Sequence, residues 1–78
     1  MKNNAHIKAT LKAVLGVLDA RSDVIIYKKN KDSTDTVLTT DKIYNLISDP
    51  EFIDKYGSYK VIGLIAVTSI TGLLIEEA

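Results

Sequence analysis

A few residues in this chain are of types that could do chemistry. Lys28-Lys29-Asn30-Lys31 follows Tyr27 directly, a basic run with an aromatic at its root, which is the composition of an arm that grips phosphates. Asp32 and Asp35 flank Ser33 in the next stretch, where oxygen ligands for a cation could gather. A calcium loop, however, needs acidic or amide groups at alternate positions, a central glycine and a closing glutamate, and these are missing. His6 is the single histidine, set near the first residue and without a recognisable carboxylate or hydroxyl partner to make it a general base. Glu76-Glu77 reads more simply as a solvated strand end than as a catalytic pair. Gly57, Gly63 and Gly72 fit neither a dinucleotide fingerprint nor a phosphate loop. Cysteine is absent, which removes disulfides, thiolate metal sites and thiol catalysis together. No catalytic, cofactor-binding or metal-ligating residue is assigned, and the expectation is a protein that is not an enzyme.

The basic run has opposition. Lys and Arg number 10 and Asp and Glu number 10, so the formal charge is zero, whereas a domain that binds nucleic acid as a whole is normally basic. The charge is unevenly spread: residues 1–39 carry a net +3 and residues 40–78 a net −3. Lysines at a hairpin also solubilise it and guard its edge against pairing with another sheet, which is the simpler reading of Lys28, Lys29 and Lys31.

Seventy-eight residues make one domain, 1–78, and 46% hydrophobic residues give it a core. That composition excludes a disordered chain. The N-terminal stretch has no unbroken apolar segment of the kind a signal peptide needs. The missing cysteines suit a reducing compartment, so a cytoplasmic location is expected. Nine lysines against one arginine, with isoleucine the commonest residue, suit an AT-rich bacterial or phage genome. Residues 61–75 are uncharged, but as a helix they would reach only about 22 Å, short of the roughly 30 Å hydrocarbon core. No membrane association is expected.

The elements that must position these groups follow from periodicity. In residues 5–20, Ile7, Leu11, Val14, Leu15 and Leu18 form one apolar stripe, opposite Lys8, Lys12 and Asp19, and predict a long helix started by Asn3 or Asn4. Gly16 in its middle hints at close packing. Residues 23–29 and 36–40 read as strands of a hairpin around the polar loop 30–35. Thr40 or Asp41 then caps a short helix carrying Ile43, Leu46 and Ile47. Asp49, Pro50 and Glu51 start a second one, which Gly57 stops. Residues 59–67 are apolar on both alternating sets, as in a strand covered on both faces. The chain must turn at 68–72, and residues 73–77 return as a last strand, with a terminal helix from Ser69 as the alternative. The expectation is an α+β domain of order α-β-β-α(α)-β-β, with a mostly antiparallel sheet of about four strands, one long N-terminal helix and one or two short helices.

One long helix with one or two short ones can cover little more than one face of such a sheet. A homodimer is therefore expected, with Tyr59, Val61, Ile65, Leu73 and Ile75 as its candidate interface. Tyr27, Tyr44, Phe52, Tyr56 and Tyr59 could add an aromatic surface patch, although half-buried core packing is the more frequent explanation of such residues. The favoured function is a non-enzymatic protein-interaction module, a small adaptor, inhibitor or assembly factor with an unidentified protein partner. The alternative is a nucleic-acid-associated regulator using Lys28, Lys29 and Lys31.

Overall fold

The computed structural model describes residues 9–67 and 70–77. Along the chain these form α1 (Leu11–Val17), β1 (Asp23–Lys29), β2 (Asp35–Lys42), α2 (Ile43–Ile47), α3 (Pro50–Tyr56), β3 (Lys60–Val67) and β4 (Ile70–Glu76). The expected order of elements holds, and the last segment is a strand, not the alternative helix.

The long N-terminal helix is not found: α1 has seven residues. Its start is fixed by Thr10, whose backbone is extended and whose hydroxyl accepts from the Ala13 N–H at 3.3 Å. Two further first-turn donors are satisfied from outside the helix. The Leu11 N–H donates to the Tyr59 carbonyl (2.8 Å) and the Lys12 N–H to the Gly57 carbonyl (3.0 Å). The apolar stripe predicted the buried Leu11 and Leu15 correctly, but a stripe cannot show that tertiary carbonyls compete for the chain just before them. Residues 5–8 of the expected helix, with the proposed Asn3 or Asn4 cap, lie outside the described residues. Gly16 is exposed, and a Cβ built there meets nothing within 4 Å, so it marks no close packing.

The sheet runs β2-β1-β4-β3. Two hairpins, β1/β2 and β3/β4, are each antiparallel, but they join through a parallel β1/β4 pair at the centre. The expected mostly antiparallel sheet is therefore mixed. The reason is the α2–α3 connection, which carries the chain from the β2 edge to the β3 edge and so sets the second hairpin down beside the first strand. With overall extents of 35 × 28 × 26 Å, the run from Lys60 to Glu76 has to fold back; most of the expected turn 68–72 is instead β4, and residues 68 and 69 lie outside the described residues.

α2 follows β2 without a break. Lys42 occupies its cap position without a side-chain cap, where Thr40 or Asp41 was expected. The connection between α1 and β1 supplies the missing acceptors: Ile43 N–H donates to the Ser22 carbonyl (3.0 Å) and Tyr44 N–H to that of Ala20 (2.9 Å). α3 starts as its sequence predicts, with Asp49 accepting from the Glu51 and Phe52 N–H groups (3.1 and 3.2 Å) and Pro50 in the first turn.

One core results. Leu11 and Leu15 from α1, Ile43 and Leu46 from α2, Val24 and Ile26 from β1, and Leu73 and Ile75 from β4 are all buried in it. Since successive strand residues face opposite sides, Val24, Ile26, Leu73 and Ile75 define one covered face of the sheet.

Candidate interaction surface

The other face of the sheet follows from register. Ile25 stands beside Gly72, Tyr27 beside Leu74 and Val37, and Ile65 beside Gly72 from the far side. All of these alternate with the buried set, so they lie on the face away from the core. Val37 at one edge is 56% exposed and Ile65 at the other 50%. Ile25, Tyr27, Ile70 and Leu74 between them are half-buried by their own strand neighbours. Gly72 lets the Tyr27 ring lie down, since a Cβ there would come within 3.1 Å of the tyrosine Cε2 and 3.5 Å of the Ile65 Cβ. An aromatic laid across a strand glycine supplies the side-chain packing that the glycine lacks.

Charges sit at the two ends of this face and are paired within the chain. Lys42 Nζ lies 3.0 Å from Asp23 Oδ1 at one end, and Lys60 Nζ lies 3.9 Å from Glu76 Oε1 at the other. The hydrogen bond from Lys42 to Asp23, with the carboxylate's charge, raises the lysine above its ordinary value of 10.5. Beside it, Asp41 is held below its usual value of 3.8, first by the Asn45 amide and then by the Lys42 N–H. The surface is apolar between two neutral ionic rims.

The structure distributes the sequence-derived interface residues unevenly. Ile65 is exposed on the open face. Leu73 and Ile75 are wholly buried against the helices, so neither offers surface to a partner. Val61 is half-buried and packs against that same core. Tyr59 belongs to a cluster on the helix side, edge-on to Tyr56 at 5.2 Å between ring centroids, with Phe52 5.4 Å from Tyr56. The aromatic residues are therefore not one patch: this trio packs on the core, and Tyr27 lies across the sheet from it. Ile25, Tyr27, Val37, Ile70 and Leu74 are open-face residues absent from the interface expected from sequence. Their signal was the period of two in each strand, obscured by two bulges. Leu38 is an extra residue opposite the Ile26–Tyr27 step, and Ile62 is extra between Val61 and Gly63. A glycine inside a strand pattern is the usual mark of such a bulge, and Gly63 stands there.

The basic run is split by the same alternation. Lys28 pairs with Ile75 and so points to the core side, whereas Lys29, opposite Asp35, points the other way. Lys28, Lys29 and Lys31 do line an open cleft of about 550 Å³, but Glu76 and Glu77 line it too. Two carboxylates within the same cleft oppose a phosphate backbone. Asp32 is engaged in the turn itself, accepting from the Thr34 hydroxyl (2.6 Å) and N–H (3.0 Å), which lowers its pKa below the usual 3.8. Among the described residues no group of three or more His, Cys, Asp or Glu could hold a metal ion, and no helix is long and apolar enough to cross a membrane. His6 lies outside the described residues.

No protein-family model matches the chain, and neither a curated protein nor a solved structure matches it.

Proposed function

We propose that this domain is a small non-enzymatic protein-interaction module that works as a homodimer, two copies packing through the open faces of their sheets. The observation that supports the reading is the apolar surface from Val37 to Ile65 on the face that no helix covers among the described residues. Four strands of about six residues give that face a footprint of roughly 400 Å². That lies within the largest patches soluble monomers expose, about 300–600 Å², which are often functional. It is also about half the area a standard interface buries per partner, the size of a weak or transient contact.

A second copy fits the chemistry of the face. One rim carries Lys42 and Asp23 and the other Lys60 and Glu76 with Lys29 and Asp35, so each is neutral and two copies meet without net repulsion. A two-fold axis is the commonest way to cover such a surface, and sheets packed face to face bury their inner sets at about 10 Å separation. The absence of cysteine supports work in a reducing cytoplasm, in a cell or phage of AT-rich genome. As an adaptor, inhibitor or assembly factor, the dimer would present the helical sides of both copies outward to its protein partner. Sedimentation equilibrium over the micromolar range tests the reading: a reversible monomer–dimer equilibrium is expected, and a monomer at every concentration overturns it.

A further inference from the structure

One end of the open face carries a row of alternating charge. Asp35 stands opposite Lys29, and Lys60 opposite Glu76. The parallel register of β1 with β4, followed one step beyond Lys28 and Ile75, brings Lys29 beside Glu76. Across the strands in the order β2-β1-β4-β3, the row therefore reads acid, base, acid, base. Such a row, reversed, is its own complement. Its charges are only loosely satisfied inside the chain. Lys60 Nζ lies 3.9 Å from Glu76 Oε1, and among the described residues neither Lys29 nor Asp35 forms an ion pair. The far end of the face differs, since Lys42 and Asp23 close on each other at 3.0 Å.

A two-fold axis between two packed sheets can run along the strands or across them. We propose that it runs along the strands, so that the charged row of one copy lies reversed on that of the other. Lys29 then meets Glu76 of the second copy, Asp35 meets its Lys60, and symmetry forms each contact twice. The arrangement rests on the open-face dimer and adds its orientation. An axis across the strands would instead set Lys29 and Asp35 on the Lys42–Asp23 pair, which its own hydrogen bond already closes. It would also press Glu76 against Ile70, where a carboxylate loses water and gains no partner. The apolar rows accept the axis along the strands. Reversed on itself, the row Val37-Tyr27-Leu74-Gly63 lays Tyr27 over Leu74 and Val37, 56% exposed, over a glycine that leaves room for it. Rim charges fix register more than they add affinity, and a small apolar face leaves register to be fixed.

Mixing oppositely charged variants tests it, read by sedimentation equilibrium, with thermal melts to show that each protein is folded. Lys29→Glu alone and Glu76→Lys alone each set like charges together twice per dimer, and each should weaken it at least about tenfold. Mixed in equal amounts, the two should associate within about threefold of the wild type, since each altered charge then meets its opposite on the other chain. Charges that interact only inside one chain cannot give this result, because neither chain carries both substitutions. Asp35→Lys mixed with Lys60→Glu repeats the test on the outer strands. If the wild type dimerises but the single variants leave it unchanged, or mixing fails to restore association, the axis is overturned and the open face stands. Rescue of Lys29→Glu by Asp23→Lys has the same meaning, since that is the partner an axis across the strands provides. A monomeric wild type overturns both.

Discussion

Ile65 gives the sharpest test of the open face. It sits on that face at the β3 side, half exposed, and takes no part in the buried core. Burying an isoleucine fully is worth about 1.5–3 kcal/mol, so the half still exposed contributes about 1 kcal/mol when a partner covers it. A two-fold axis counts that contribution twice. Ile65→Ala should therefore weaken the dimer by about 2 kcal/mol, roughly thirtyfold in its dissociation constant. Ile65→Glu should abolish dimerisation at micromolar concentration, because it buries an unpaired carboxylate from each copy. The control is Val17→Glu, the same apolar-to-acid change at a residue 82% exposed at the end of α1; it should leave the equilibrium intact. Sedimentation equilibrium measures all four proteins, with thermal melts to show that each is folded. A dimer that tolerates Ile65→Glu as well as it does Val17→Glu would refute the assignment of the face.

Other outcomes follow from single features. Leu15→Ala or Ile26→Ala should each cost about 2–5 kcal/mol, read as a drop in the urea midpoint, since both side chains are fully buried. Gly16→Ala should stabilise the domain by up to about 1 kcal/mol in the same assay, because helix propensity favours alanine and the new methyl meets no neighbour. Asp41, lowered in the folded state, contributes stability above pH 3.8 that is lost as the pH falls through its depressed value. Lys42, raised, contributes stability below pH 10.5 that is lost as the pH climbs through its elevated value. The urea midpoint should therefore lose these contributions at both pH extremes in the wild type, the acid loss shrinking in Asp41→Asn and the alkaline loss in Lys42→Met. The protein should leave a heparin column at low salt, and Lys28→Ala with Lys29→Ala should change that little; firm retention that the double variant removes would favour nucleic-acid binding.

The sequence was most legible where a signal was local. Asp49-Pro50-Glu51 marked the start of α3, and Leu11 with Leu15 marked the buried side of α1. It was least legible where a partner distant in sequence decides. α1 and α2 both begin against carbonyls of other segments, Gly57 and Tyr59 for one, Ala20 and Ser22 for the other. No propensity at residues 5–10 or 40–43 records that. The candidate interface failed for a related reason. Residues 59–75 are apolar on both alternating sets, so parity could not say that Leu73 and Ile75 face the helices while Leu74 faces away. Only the pairing with β1 settles it, and the bulge at Ile62 shifts the parity again within β3. Likewise Lys28 and Lys29 looked like one basic patch until their strand placed them on opposite sides.

The parallel pairing of β1 with β4 bears on how the protein is made. Ile26 stands beside Leu73, forty-seven positions later in the chain, and both are buried in the one core. During synthesis β1, β2 and all three helices emerge before the strand that completes their core, and a lone hairpin is marginally stable at best. The β1/β2 hairpin therefore waits in the nascent chain with Val24 and Ile26 uncovered until β4 clears the ribosome exit tunnel. Native contacts so far apart also slow the search for them. Folding should be abrupt and late, and a chain stopped anywhere before β4 should be degraded or held by a chaperone instead of accumulating as a smaller domain.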